Sequence, residues 1–395
     1  MSTGFDLERY SRADLERRSG TKWRRHGGSA IGAWVADMDY PVAPEVTSAI
    51  RALLDADDLG YPDQSLDAGV RDAFSERAHK RYAMVVDPSD VVVVSDVVQA
   101  IYLSLFAFTE PGDGVAFLTP AYPPFFGAVA ETGRTALCCP LVRGVSRYEV
   151  DLDALGSVVR EGRARALLLC NPHNPTGRSF SRAELDGIAA IALDAGLVIV
   201  SDEIHADLTL PGAAHVAVAS LGPEVARRTV TLFSASKAFN VAGLRCAVAA
   251  FGDPELRERF ERFPAHGRGS VSVTGMVAAV AAWERADRWL DAVLALLADN
   301  RDLVSDFAAG HLGGAPFAAP EATYLAWLDL RAYDLGEDPA AWLRTHARVA
   351  LSPGPDFGTE GRGHARLNFA TSRSVLEEML DRIASALAHG RSASV

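Results

Sequence analysis

The sequence predicts an α/β protein: a large parallel sheet covered by helices, followed by a smaller α+β unit. Short apolar runs of strand length are continuous instead of alternating, as in strands buried on both faces. Helical segments separate them, which is the arrangement of a parallel sheet. The chain has 395 residues, 49% of them apolar, enough for two or three domains with a sizeable core at about 150 residues each.

In chain order, residues 46–56 (VTSAIRALLDA) and 65–82 place apolar side chains at helical spacing, and VVVV at 91–94 reads as a strand. VVQAIYLSLFAFT reads as a helix, and GVAFLT and ARALLLC as strands. SRAELDGIAAIALDAG is a helix with Ser181 at its N-cap and Glu184 three residues on, the spacing of a capping box. LVIVSD, TVTLFSAS and RCAVAAFG supply further strands before a long helical stretch from Val273 to Phe307. TYLAWLDL and ARLNFAT then read as strands separated by the helical DPAAWLRTHARV, with a loop at 311–322. There is no internal repeat and no low-complexity segment.

Charge and composition narrow the function. Lys and Arg number 39 against 51 Asp and Glu, a net −12 with no long basic run, so neither nucleic acid nor an anionic membrane is an expected partner. The N-terminus is polar and charged without an apolar leader, and no apolar stretch reaches about 18 residues. Four cysteines without C-x-x-C spacing, two of them adjacent, read as reduced and mostly buried thiols. A cytoplasmic protein is expected.

Motifs fall where the strands end, the edge at which open α/β sheets hold ligands. ALLLC runs into NPHNPTGR (171–178), LVIVSD into EIHADL, and TVTLFSA into SKAFNVAGLR. Any lysine chemistry has three candidates, Lys22, Lys80 and Lys237; the first two sit in the polar TKWRR and AHKRY and read as solvated charges. Asp202, directly after an apolar strand, reads on its own equally as a helix cap or turn aspartate. His173, Asp202, Glu203 and His205 are residue types that bind metals, but D-E-I-H lacks the H-E-x-x-H spacing that aims two imidazoles at one ion. No metal site is expected.

With WVADMDY (34–40), NPHNPTGR, SDEIHADL (201–208) and SASKAFNVAGL (234–244), the chain resembles fold type I pyridoxal-phosphate (PLP) enzymes of the class I/II aminotransferase superfamily. Within it, the chain is most similar to the PatB/MalY-type cystathionine β-lyases, whose matching stretches spread here from Trp34 to Phe369. The resemblance implies a large PLP-binding domain (46–285) with a mostly parallel seven-stranded sheet, and a small domain formed by 1–45 with 286–395. It makes Lys237 the Schiff-base lysine, a role that needs an amine with a lowered pKa and that suits its apolar neighbours. Asp202 is implied as the partner of the pyridinium nitrogen, Asn174 as a donor to the phenolic oxygen with Pro175 cis, and Tyr122 as the aromatic stacked on the ring. Lys237, Tyr122 and Asp202 are thereby the catalytic set. His205 stands where general aminotransferases carry tyrosine, which favours the lyase.

For the phosphate, the strand-to-helix junction offers the amides of Asp96, Val97 and Val98, with Ser234, Ser236 and Arg245 flanking Lys237. Many relatives have glycine at the Asp96 position, so only its amide is expected to serve; Arg245 pulls mildly towards the aminotransferases. Tyr61 in LGYPD is implied to reach the neighbouring subunit's phosphate, which implies a homodimer. Arg366 matches the arginine that grips the substrate α-carboxylate, with Asn368 on the same strand face, and Ala36 closes that pocket through its backbone. Apart from the resemblance, Asn-Pro turns, core tyrosines and edge-strand arginines account for single residues of this kind. The expected reaction is cleavage of L-cystathionine or a related cysteine S-conjugate to a thiol, pyruvate and ammonia, with transamination of a small amino-acid substrate as the alternative. Retention of Lys237, Asp202, Asn174 and Arg366 argues against a non-catalytic binding protein.

Overall fold

The computed structural model describes residues 4–26, 28, 30–313 and 317–392. The expected 311–322 loop is therefore described only on either side of residues 314–316, and residues 1–3 of the polar N-terminal segment also lie outside the described residues.

Seven strands form the main sheet: β1 (Val91–Val94), β2 (Gly114–Thr119), β3 (Thr135–Pro140), β4 (Ala164–Cys170), β5 (Val198–Asp202), β6 (Thr229–Phe233) and β7 (Ala247–Phe251). Their order is β1-β7-β6-β5-β4-β2-β3. Only β7 runs against its neighbours, so β1 to β6 all end on one edge. Successive residues of β4 enter opposite cores, the structural meaning of its unbroken apolar run. Ala166, Leu168 and Cys170 pack with Ile101, Phe125 and Phe260 from helices on one face, and Leu167 and Leu169 with Leu155 and Ile188 on the other.

A three-stranded antiparallel sheet of Leu325–Asp329, His364–Asn368 and Ser352–Pro353 sits in the C-terminal part, with Arg366 opposite both Trp327 and Ser352. Ile31–Gly32 pairs in parallel with Val349–Ala350, joining the start of the chain to its end. The capping box at Ser181 is formed as the spacing required. β3 and the helices Pro123–Glu131, Leu152–Glu161 and Arg373–Ser392 are additions to the elements read from the sequence.

The stretch from Val273 is two helices, Val273–Arg285 and Asp287–His311, broken at Ala286. Arg77 accounts for the break. Its Nη1 donates to the Trp283 carbonyl at 3.0 Å, the acceptor that a continuous helix gives to the amide of residue 287, and also to the Asp287 carboxylate at 3.0 Å. Among the described residues no helix is long and apolar enough to cross a membrane. All four cysteines are free, Cys138 exposed and the other three buried.

Candidate functional site

A cavity of about 820 Å³ opens along the sheet edge where the parallel strands end. Five of the strands deliver residues to it at or just after their ends: Asp96 after β1, Tyr122 after β2, Asn174 after β4, Asp202 at the end of β5, and Ser234, Ser236 and Lys237 after β6. Ala36, Val97, Val98, His205, Arg245 and Arg366 complete the expected set. Tyr61 stands apart from them, fully exposed on the surface after helix Pro44–Asp55.

Burial governs the chemistry at the centre. Lys237 Nζ donates to the Ala36 carbonyl at 2.9 Å, and burial lowers its pKa, with the Arg366 charge adding to that against Asp37 and Asp202. Burial pushes the Asp202 carboxyl up to about 7, with Glu203 adding to the rise; the Ile204 amide, donating to Oδ1 at 3.1 Å, and Lys237 oppose it. His205 is held down at about 3 by burial and the nearby Lys237 and Arg366 charges, so its ring is neutral, and its buried Nδ1 has no hydrogen-bond partner. Burial raises the Tyr122 phenol to about 12.

Arg366 is fixed from two sides. Its Nη1 donates to Asn174 Oδ1 at 2.8 Å, and its Nη2 to the Trp34 carbonyl at 2.9 Å and Ser352 Oγ at 3.0 Å, leaving the buried Nε without a partner. Its guanidinium lies 4.8 Å from the Phe357 ring centroid, and burial lowers its pKa to about 10. The Asn174–Pro175 bond is cis, as the resemblance implied, and so is Asn171–Pro172.

The segment Trp34–Tyr40 is held by its carbonyls. Asn368 Nδ2 takes those of Val35 and Asp37 at 2.5 and 2.7 Å, and Asn240 Nδ2 those of Met38 and Tyr40 at 3.1 and 3.0 Å. Asn368 is therefore spent on this segment and not aimed at a substrate beside Arg366, as its strand face had suggested. Tyr324, which the sequence placed only on a strand, donates from its hydroxyl to the same Ala36 carbonyl at 2.9 Å.

Lys22 also departs from expectation. It is buried, its Nζ donating to Asp39 Oδ2 at 2.8 Å and to the Asp37 carbonyl at 3.1 Å, with Trp23 Nε1 on the other Asp39 oxygen. A side chain at Gly32 would place its Cβ 2.2 Å from the Lys22 carbonyl, so only glycine permits this approach. Lys80 is the exposed, ion-paired lysine that its context predicts. Lys22→Met strands the Asp39 carboxylate inside the protein, and urea unfolding is expected to register a loss of about 3 kcal/mol.

At the far end of the cavity, the helix Val97–Phe108 opens with Asp96 as its cap, Oδ1 accepting the Gln99 amide at 2.8 Å. The other oxygen pairs with Arg245 Nη1, so the carboxylate is neutralised by the arginine expected to serve the phosphate. The amides of Val97 and Val98 remain without intrahelical acceptors. Ser234 Oγ donates to the Cys246 carbonyl at 2.6 Å and accepts the Ser236 amide at 3.1 Å.

No group of three or more metal-binding side chains occurs among the described residues. Glu203 turns away from Asp202 to accept from Ser201 Oγ and the Val218 amide, with His215 Nε2 at 2.8 Å, and His173 Nδ1 lies 2.8 Å from Thr176 Oγ1.

Residues 35–383 match the family of class I and II aminotransferases. The chain is 34% identical to the cystathionine beta-lyase PatB of Bacillus subtilis, over 94% of this chain and 98% of that protein. It is 35% identical to a cystathionine beta-lyase of Corynebacterium glutamicum, over 95% and 98%. Its fold matches the PLP-bound C-S lyase of Staphylococcus hominis complexed with L-cycloserine, with a TM-score of 0.90, 30% identity, and coverage of 98% of this chain and 99% of that one.

Proposed function

As a member of the class I and II aminotransferase family, the chain is a PLP-dependent carbon-sulfur β-lyase, and we propose that it cleaves L-cystathionine or a related cysteine S-conjugate to a thiol, pyruvate and ammonia. The observation that carries this reading is the pairing, in one cavity, of a half-buried primary amine with lowered pKa and a buried carboxyl raised to about 7 that forms no salt bridge among the described residues. A pyridinium nitrogen supplies that missing cation. The orphaned His205 Nδ1 and Arg366 Nε and the free amides at the start of helix Val97–Phe108 likewise suit a polar ring, a carboxylate and a phosphate.

When bound, PLP supplies an aldehyde that joins covalently to an amine and a ring that accepts the electrons of a breaking Cα–H bond. Lys237 Nζ is the group that would bind it and then carry the Cα proton, and its lowered pKa favours the uncharged form that accepts one. Asp202 would hold the ring nitrogen and keep it protonated, and Tyr122 would supply an aromatic face to the ring. Arg366 grips the substrate carboxylate, oriented by Asn174 Oδ1 and Ser352 Oγ. The amides of Asp96, Val97 and Val98, with the Ser236 hydroxyl, would hold the phosphate. Ser234 acts by fixing the turn before Lys237, and Arg245 by compensating Asp96.

We read 46–285 as the large unit and 1–45 with 286–395 as the small one, supported by the pairing of Ile31–Gly32 with Val349–Ala350. A homodimer that brings Tyr61 to the partner's phosphate is supported by its full exposure beside the half-exposed Leu54 and Leu59. Four free thiols suit a cytoplasmic location. The test is L-cystathionine without any added 2-oxo acid: equimolar pyruvate, ammonia and homocysteine are expected. Turnover that requires a 2-oxo acid instead identifies an aminotransferase.

A further inference from the structure

The cavity extends beyond Arg366 to a mouth whose charges have no task in the chemistry at Lys237. Trp34 links the two ends. Its carbonyl accepts Arg366 Nη2, while its ring carries the Arg25 guanidinium 4.8 Å from the centroid and meets the His26 ring edge-on at 5.6 Å. Helix Pro339–His346 contributes Arg344 to the same lining, and the turn Gly354–Phe357 contributes Asp356. Arg25 and Arg344 are exposed, and neither has an ion-pair partner among the described residues. The local fields put Arg344 and Arg25 near His26, and Arg25 and Arg366 near Asp356. Burial, then Arg344 and Arg25, lower the His26 pKa; burial and Asp338 raise that of Asp356 while Arg25 and Arg366 pull it back.

We propose that this mouth is a second amino-acid subsite, in which Arg25 and Arg344 receive a carboxylate and Asp356 an ammonium group at the far end of the S-substituent. Two guanidinium groups, one seated on an indole, present planar donors to an anion at one wall. The carboxylate of Asp356, close enough to Arg25 and Arg366 to feel both, supplies the opposite charge. A plain alkyl or aryl substituent in the same place strips water from these groups and gives them no partner, so it binds less well. The leaving thiol is thus one that itself carries an amino-acid head. This deepens the β-lyase reading above and rests on it.

The holoenzyme is assayed with three substrates that differ only at the far end: L-cystathionine, S-(3-carboxypropyl)-L-cysteine, which lacks the distal amine, and S-propyl-L-cysteine, which lacks both charges. The expected kcat/KM falls in that order. Arg25→Gln/Arg344→Gln is expected to shrink the ratio of cystathionine to S-propyl-L-cysteine about tenfold or more, chiefly through KM. Asp356→Asn is expected to shrink the ratio of cystathionine to the carboxypropyl compound. All three side chains are exposed, and circular dichroism verifies folding. Rapid-mixing titration of the cofactor absorbance gives Kd for each compound whether or not it turns over. Pyruvate release with ratios that the variants do not change overturns the subsite and keeps the lyase. Kd ratios that respond as described, without pyruvate from any compound, keep the subsite and overturn the lyase. Neither pyruvate nor discrimination in Kd overturns both.

Discussion

Lys237→Ala lowers kcat/KM for pyruvate release roughly 10⁴-fold, the combined loss of a covalent attachment point and a proton carrier. No other amine is placed to replace it. Lys22, which is buried, is committed to Asp39 and the Asp37 carbonyl, and Lys80 lies on the surface beside Glu76. The Ala36 carbonyl keeps its Tyr324 donor in the variant, so the fold around the missing amine has no reason to collapse. Borohydride reduction followed by peptide mapping gives a second measurement: the label is expected on the peptide containing Lys237 and absent from the variant. A label elsewhere, or a variant within tenfold of the parent activity, removes Lys237 from its assigned role.

Asp202→Asn is expected to cost roughly 10³-fold in kcat/KM, because a neutral amide no longer holds a proton on the ring nitrogen at the moment electrons enter the ring. It also carries a signature that does not depend on turnover. Burial first, and then Glu203, raise this carboxyl to about 7 in the folded protein, above its ordinary value in an unfolded chain. Between those two values the folded state keeps a proton that the unfolded state has released. The stability of the cofactor-free protein therefore falls as pH rises across about 4 to 7. Asparagine does not titrate, so the variant gains on the parent in urea unfolding between pH 5 and pH 7.5. A pH-independent difference would mean that the carboxyl is not held in a raised state.

The parts of the site that lie at strand ends were legible because continuous apolar strands are, and the residue that follows such a strand is positioned by it. The motifs that hold Asp202, Asn174, Asp96 and Lys237 were located this way, and the family resemblance gave those residues their roles. What escaped depends on contacts between distant segments. TKWRR reads as polar because nothing in it reveals that Asp39, seventeen residues on, folds against Lys22. Tyr324 and Ser352 sit in ordinary strand sequences, and their meaning comes from the carbonyls they meet, at Ala36 and Trp34. Asn368 was correctly seen as a polar residue on the Arg366 face, but its partners are main-chain atoms of another segment. β3 was missed although residues 136–139 (ALCC) are a short apolar run; most of its residues are exposed, so it is an edge strand and not one of the fully buried strands that the reading relied on. The C-terminal helix did carry a signal, since Val375, Leu376, Met379, Leu380 and Ile383 recur at helical spacing and are buried.

From Val35 to Met38 every hydrogen-bonded atom belongs to the main chain. Side chains at Val35 and Ala36 make no hydrogen bond, so what constrains them is bulk, at the cavity wall and, for Ala36, against the core. Length is a different matter: one inserted or deleted residue would shift each oxygen to its neighbour's anchor and disengage Arg366, Asn368, Lys237 and Asn240 together. The stretch behaves like a key cut by spacing, tolerant of spelling and intolerant of count.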